Sequence, residues 1–432
     1  MKRFPFCAVL PLALMALLAP TLASAVTFYP NITQDLPDAN PGDGVCSYLA
    51  VMNPPTLCTL RAAVMEGNAT PLDQDVLVHL VPGAVYVLNT PEPNPQGAKA
   101  GDLDITRPMR VGTPEGSVPR ARIDANDSFR AFELHPNATG STIYGIEIAN
   151  AFVANGEGAA IRVRASGATL ENIDVHHSNS GGEPGLPCAV TASDDMTLIE
   201  SRIHHNGSDE NFMYGVCSVS YADVAILRST LDHNAGNGVD VQFATLYMEN
   251  STATLNEGSG VNVFNASGVI RNSTVAKNHT QTPAQNDGEI EYGSNSPGDY
   301  NLHISGSIVD GTGHMACAGN HVGDESYDYS HNIYSDDSCY ADPSDKTSIV
   351  TSTINLSELG DWGGPTPTML PLPGSDAIDQ APAIFCNQPG IDQRGLPRPV
   401  ASVEGGQPLC DIGAVELTTM PDGIFFDGFE GI

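Results

Sequence analysis

Between about residue 130 and residue 315 the order of apolar and polar positions repeats. The lines ATLENIDVHHSNSG from Ala168, MTLIESRIHHNGSD from Met196, VAILRSTLDHNAGN from Val224, LYMENSTATLNEGSG from Leu246 and GVIRNSTVAKNHTQ from Gly268 align. They place Val175, Ile203, Leu231, Ala253 and Val275 in register, with steps of 28, 28, 22 and 22 residues. Apolar and polar residues alternate in Gly238-Val239-Asp240-Val241 and Gly260-Val261-Asn262-Val263, the period of a strand with one buried face. A further strand is expected before each next line: Cys188–Ala192, Cys217–Tyr221, Gly238–Phe243 and Gly260–Asn265.

Strands this short cannot bury an apolar face alone, so each copy must stack on the next. The expected fold is all-β, a right-handed, single-stranded parallel β-helix. Leucine-rich repeats need leucines at fixed spacing plus a helix, ankyrin-type repeats need helices, and neither pattern occurs. Asn206, Asn234, Asn256 and Asn278 each fall three residues after their register residue. At such turns Asn tolerates the left-handed region, and its side chain can pair with its counterpart one coil on. This ladder explains sequons such as Asn250-Ser251-Thr252 better than glycosylation does.

An open solenoid needs caps, because its end coils expose core and strand edges. Residues 58–68 read as a short helix with Leu60, Ala63 and Val64 on one face and Gly67 as its stop, a lid for the N-terminal coil. This stretch, followed by Asp75-Val76-Leu77-Val78, Pro82–Leu88, Gly101-Asp102-Leu103-Asp104-Ile105 and Arg122-Ile123-Asp124, resembles the CSLREA-type bacterial exported proteins; Ala62 stands where that family has Glu. Gly363–Thr368, Pro373–Asp379, Asp392–Pro399 and Cys410–Glu416 resemble the C-terminal segment of choice-of-anchor β-helix proteins. The resemblance implies a secreted or surface-displayed β-helix in a family whose members mostly lack an assigned reaction. The expected organisation is a signal peptide over 1–25, a cap over 26–74, the β-helix over 75–355, an irregular disulfide-linked segment over 356–417, and a tail over 418–432 that is a sorting signal or a disordered end.

Charge narrows the partners. With 18 Lys plus Arg against 51 Asp plus Glu the net charge is −33, which disfavours a nucleic-acid partner, since phosphate binding needs clustered cations. Residues 1–25 open with Lys2 and Arg3, continue apolar and end in Ala23-Ser24-Ala25, the form of a cleaved secretory signal. No later segment is apolar for long enough to span a bilayer. Beyond Cys7 in the signal, eight cysteines remain, and an even number in an exported chain reads as disulfides. The expected pairs are Cys46 with Cys58, Cys188 with Cys217, Cys317 with Cys339, and Cys386 with Cys410. Cys188-Ala189-Val190 and Cys217-Ser218-Val219 look equivalent in adjacent coils, about 4.8 Å apart and so within disulfide reach. Zinc, the alternative, lacks a close Cys pair.

Three constellations could carry chemistry. His176-His177, His204-His205 and Asp232-His233 occupy matching places after their register residues. Stacked on one edge, they could bind a metal or act as acid and base, or form only a solvated polar turn ladder. Asp35, Asp38, Asn40 and Asp43 lie in a Gly/Pro-rich loop that suits Ca²⁺, though without the EF-hand spacing; a plain acidic loop is the alternative. Asp194-Asp195, Asp209-Glu210 and the stretch from Asp324 to Asp345 are further acidic segments. Arg162 and Arg164 flank Val163 on an outer face and could bind anionic sugar or pair with surface acids. No nucleophile elbow, P-loop or dinucleotide fingerprint is present. The sequence favours a non-enzymatic, exported β-helix whose long face serves adhesion or binds a polysaccharide or other cell-surface component, with Ca²⁺ as the candidate cofactor. The alternative is a Ca²⁺-assisted polysaccharide lyase or glycoside hydrolase using His204, His205, Asp232 and His233.

Overall fold

The computed structural model describes residues 25–49, 57–89, 101–154, 157–181, 186–208, 211–219, 221–280, 287–295, 300–311, 313–319, 329–339, 347–386, 390–400 and 407–417. Residues 1–24 with Cys7, Asp209-Glu210, much of the Asp324–Asp345 stretch and residues 418–432 lie outside these residues.

Three long sheets, all parallel, run the length of the chain with 11, 11 and 9 strands. Each full coil gives one strand to each sheet. Met196–Ile199 lies in the first, Arg202–His204 in the second and Tyr214–Ser218 in the third. Val175, Ile203, Leu231, Ala253 and Val275 are ladder partners, and the column extends through Ile123, Ile148 and Val309. All eight are fully buried. The third-sheet strand expected at Cys217–Tyr221 begins three residues earlier, because Val216 is the residue that falls between Val190 and Val239 in the core.

Two polar ladders run inside the stack. The Nδ2 of Asn206 donates to Asn234 Oδ1 at 3.0 Å, Asn234 to Asn256 at 3.0 Å, and Asn256 to Asn278 at 2.8 Å. The ladder ends on Glu289, a fully buried carboxylate that accepts from both nitrogens of Asn278 and binds His314 Nε2 at 2.9 Å. A serine ladder lies at the preceding corner: the backbone N–H groups of Ser201, Ser229, Ser251 and Ser273 donate to the Oγ of Ser229, Ser251, Ser273 and Ser307. The left-handed backbone does not fall on the ladder asparagines themselves. It falls one residue earlier, at His205, His233, Leu255 and Lys277, with φ between 50° and 57°. Asn206, Asn250, Asn272 and Asn278 are buried, so these sequons serve the stack.

All four disulfides form as paired above, with Cα–Cα distances of 5.1, 6.0, 4.8 and 6.1 Å. Cys188 and Cys217 are not ladder equivalents, however: Cys188 faces Tyr214 and Cys217 faces Thr191.

The N-terminal cap is helix α1 (Leu60–Ala69), whose N-cap Thr59 accepts from Ala62 N–H at 2.9 Å. It is buried on every side from Leu60 to Gly67, not on one face. Gly67 does not stop it; a Cβ there would lie 3.0 Å from Val76 Cγ1 and 3.2 Å from Met109 Cε, so glycine lets the helix sit close on the first coils. Arg61 is wholly buried and forks onto Asp35 at 2.6 and 3.1 Å. Ala62 is buried, and Glu66 accepts from Gly42 and Gly44 N–H at 2.6 Å each.

The C-terminal segment, 356–417, lies along the outside of the second sheet. Outward positions of that sheet read Arg122, Glu147, Asp174, Arg202, then Thr230, Thr252, Thr274, then Ile308, Ile333. The segment covers the threonine and isoleucine half. The fully buried Gln393 bridges Thr230 and Thr252 at 2.9 and 2.6 Å, and Met369, Ala377 and Ile412 pack with Ile308 and Ile333. Arg398 and Glu416, both buried, pair at 3.4 Å.

Two outcomes follow from this packing. Asn256→Ala strands the donors of Asn234 and the carbonyl of Leu231 inside the core and should cost on the order of 3 kcal/mol in urea unfolding. Asn137→Ala, at an exposed sequon, should change stability by less than about 0.5 kcal/mol. Burial, reinforced by Asp411, pushes Glu416 up to about 7, and burial pushes Asp411 up to about 6. Both therefore hold protons more readily folded than unfolded. Their stabilisation is complete below the ordinary carboxylate range and is lost as pH rises through 6 and 7. Hydrogen exchange of the 356–417 amides should quicken from pH 5 to pH 8 beyond its intrinsic pH dependence, and less so in Glu416→Gln.

Candidate functional site

The uncovered half of the second sheet presents paired ionisable groups. A strand sends alternate side chains outward, so Asp174 and His176 flank buried Val175, and Arg202 and His204 flank buried Ile203. In the next coil Asp232 takes the place of His204. Arg202 forks onto Asp232 at 2.8 and 2.7 Å, and His233 Nδ1 donates to Asp232 Oδ2 at 2.7 Å. His204 Nε2 donates to Asp174 at 2.8 Å, and His176 Nε2 lies 3.0 Å from Glu147. Arg122 reaches Glu147 at 3.2 Å and Asp124 at 3.4 Å, and Arg120 lies 3.8 Å from Asp174.

The predicted histidine column is formed, in two files. The inner file is His176, His204 and Asp232. The outer file is His177, His205 and His233, all exposed, with ring centroids 5.9 Å apart at the first step and 4.6 Å at the second and planes within 13°. Burial disfavours the charged form of Asp232, but the Arg202 and His233 hydrogen bonds outweigh it and hold the carboxyl below its usual range. Asp174 is likewise held low against burial, chiefly by His204. Desolvation, with His204 and His233 beside it, pushes His205 down to about 4, so this ring is neutral near pH 7. His177 is lowered by the same causes, desolvation and then His176.

The other candidates lie elsewhere. Arg162 and Arg164 lie along the third sheet and pair with Glu157 and Glu133, each at 3.1 Å. On that face His135 Nε2 meets Asp104 at 2.6 Å, and Arg130 meets Asp102 and Glu133. In the loop of Asp35, Asp38, Asn40 and Asp43 the carboxylates are bonded within the protein. Asp35 is engaged by Arg61, Asp38 accepts from Asn40 and Ser47 N–H, and Asp43 accepts from Val45 N–H. Among the described residues, the groups of three or more His, Cys, Asp or Glu with ligand atoms within 4.8 Å of one another are His204/His205/Asp232 and Asp104/Glu133/His135. Sequence reading missed Glu147, Asp174 and Arg202 as partners of the histidine column. The signal was present for Asp174 and Arg202, which lie two residues before His176 and His204 in the aligned lines, whereas Glu147 lies one coil before the first of those lines.

Residues 134–307 match the family model of a right handed beta helix region. The chain is a right-handed parallel β-helix. No curated protein matches it in sequence. Solved structures similar to this β-helix include pectate lyase Pel9A (TM-score 0.48, 15% identity, covering 92% of this chain and 98% of that one). A rhamnogalacturonan lyase (TM-score 0.49, 12% identity, 81% and 96%) and the A-module of the Azotobacter vinelandii mannuronan C-5 epimerase AlgE6 (0.38, 13%, 72% and 85%) are also similar. The four disulfides of the β-helix indicate an extracellular or otherwise oxidising environment. No described helix is long and apolar enough to cross a membrane.

Ring-proton NMR should find His205 titrating near pH 4, against about 6.5 for an ordinary histidine. In His204→Gln, with one cationic neighbour removed, the His205 midpoint should rise.

Proposed function

We propose that this chain is an exported, secreted or surface-displayed β-helix protein of the CSLREA/choice-of-anchor type. On this reading it binds a polysaccharide or another cell-surface component along the open half of the second sheet, without catalysis. The observation that carries the reading is the pairing on that face: Arg120, Arg122, Arg202, His176, His204 and His233 each already hold a carboxylate. A lyase or hydrolase needs a group free to take or give a proton at its working pH. Paired donors and acceptors repeated at each coil, about 4.8 Å apart, suit a repeating polymer held by hydrogen bonds. The charge of −33 favours a neutral or cationic ligand over an anionic one, and the covered coils leave this half as the accessible part of the sheet.

One observation favours a second reading. Asp232 holds the His233 ring at 2.7 Å with its other nitrogen directed away, the orientation of a general base, so a Ca²⁺-assisted polysaccharide lyase or glycoside hydrolase is the alternative. Purified protein incubated with neutral and acidic polysaccharides, with and without Ca²⁺, separates the two through retention, unsaturated-uronate absorbance and new reducing ends. Retention without product is expected, and the Arg122→Ala, Arg202→Ala pair should weaken it about fivefold, near 1 kcal/mol. Product formation that disappears in His233→Ala would replace the binding reading with the enzymatic one.

A further inference from the structure

The imidazoles of two adjacent coils each bring a pair of ring nitrogens together. In each coil the first ring ends a strand and the second follows in the left-handed region, with φ 53° at His177 and 50° at His205. Consecutive strand residues point to opposite faces; the left-handed residue brings the second ring back beside the first. The Nδ1 atoms consequently lie 2.6 Å apart in His176/His177 and 2.7 Å apart in His204/His205. Histidine fills this left-handed position in three successive coils, at His177, His205 and His233, before Leu255 and Lys277 take it over.

The two pairs differ in their surroundings. Above His204 the next coil places Asp232, and the ligand atoms of His204, His205 and Asp232 lie within 4.8 Å of one another. Asp232 accepts from Arg202 Nε on Oδ1, and from Arg202 Nη2 and His233 Nδ1 on Oδ2. These bonds use three of the roughly four acceptor positions of a carboxylate, leaving one on Oδ1. Behind His204, Asp174 accepts from Nε2 at 2.8 Å, the carboxylate–imidazole contact that orients a metal-bound histidine and strengthens it as a donor. Because a carboxylate only accepts, the Nε2 of His204 carries the proton and its Nδ1 is directed at His205. His205 is exposed, so the remaining coordination positions face water.

We propose that His204, His205 and Asp232 form a site for a borderline-soft divalent cation of the Zn²⁺ class, with Asp174 as the positioning residue for His204. Two imidazoles and one carboxylate suit Zn²⁺; Ca²⁺ takes six to eight oxygens and is not matched. Bonds of about 2.0–2.1 Å put two nitrogens of a tetrahedral ion roughly 3.3 Å apart. The 2.7 Å pair must open by roughly 0.6 Å to admit such an ion, a movement that ring rotation at exposed His205 supplies. The ion takes the place of the proton shared between the two rings. His176/His177 is not joined by a third donor among the described residues and binds more weakly.

The test uses metal alone and does not depend on the polymer reading. Chelator-stripped protein is titrated calorimetrically with ZnCl₂ at pH 7, in the absence and presence of CaCl₂. One dominant site with a Kd at or below about 10 μM is expected, indifferent to Ca²⁺. His205→Asn retains a residue that tolerates the left-handed turn and should weaken Zn²⁺ at least about tenfold. Co²⁺ gives a second readout: the visible bands of a four-coordinate ion should appear in the parent protein and vanish in His205→Asn. Asp174→Asn should lower affinity about 10–100-fold and move those bands, and Asp174→Glu should restore them, which a purely structural role would not do. Absence of Zn²⁺ binding at 100 μM, displacement by Ca²⁺, or binding unchanged in His205→Asn would overturn the assignment.

Discussion

A single coil of this protein cannot satisfy its own hydrogen bonds, and every other feature follows from that constraint. Strands of two to six residues leave their N–H and C=O groups directed along the solenoid axis, and buried polar groups left unpaired are costly. The asparagine and serine ladders extend the same rule to the corners. The Nδ2 groups of Asn206, Asn234 and Asn256 donate both to a carbonyl of the coil before and to the asparagine of the coil after, while a serine such as Ser229 donates its hydroxyl within its own corner and its N–H to the next serine. The spacing from first-sheet strand to second-sheet strand is accordingly constant across coils of 22 and 28 residues, while the connection from second to third sheet absorbs most of the difference. Where the ladder must stop, at the wider coil after Asn278, Glu289 supplies the missing acceptors from a neighbouring strand.

The same alignment that fills the core also sorts the outside of the second sheet. Inward positions stay aliphatic from Ile123 to Val309, whereas outward positions pass from charged to threonine to isoleucine as the chain advances. Charged positions remain open to water, and apolar ones are covered by residues 356–417. The histidine files sit at the boundary between these regimes, at Asp232, whose neighbour Thr230 in the same strand is already bonded to the covering segment. That position gives Asp232 a buried carboxylate beside exposed rings, the condition for a group to hold charge and orient its neighbours at once.

How much of this could be read from residues alone depended on how far each feature obeys the repeat. Val175, Ile203, Leu231, Ala253 and Val275 were legible because apolar register is imposed on every coil; the ladder asparagines were legible for the same reason. Cys217 misled, since matching it to Cys188 put Val219 in place of Val216 and displaced a strand by three residues. The cap was harder. Periodicity finds an apolar face, but α1 is buried all round, and it tolerates this only because Asp35 and the carbonyls of Gly101 and Asp102 satisfy Arg61. That long-range pairing ties Asp35 of the acidic loop to the buried Arg61. The histidine column was visible as sequence, whereas the left-handed step that turns each second ring back onto the first is a property of backbone geometry.

The seating of the last segment has a consequence for biosynthesis. Residues 366–416 touch side chains or backbone of Arg228, Asn250, Thr252, Thr274, Gly306 and Ile308 at once, positions spread over four successive coils. No partly stacked chain offers all of these together. This segment can therefore settle only once those four coils have stacked, and its settled state records that they are in place.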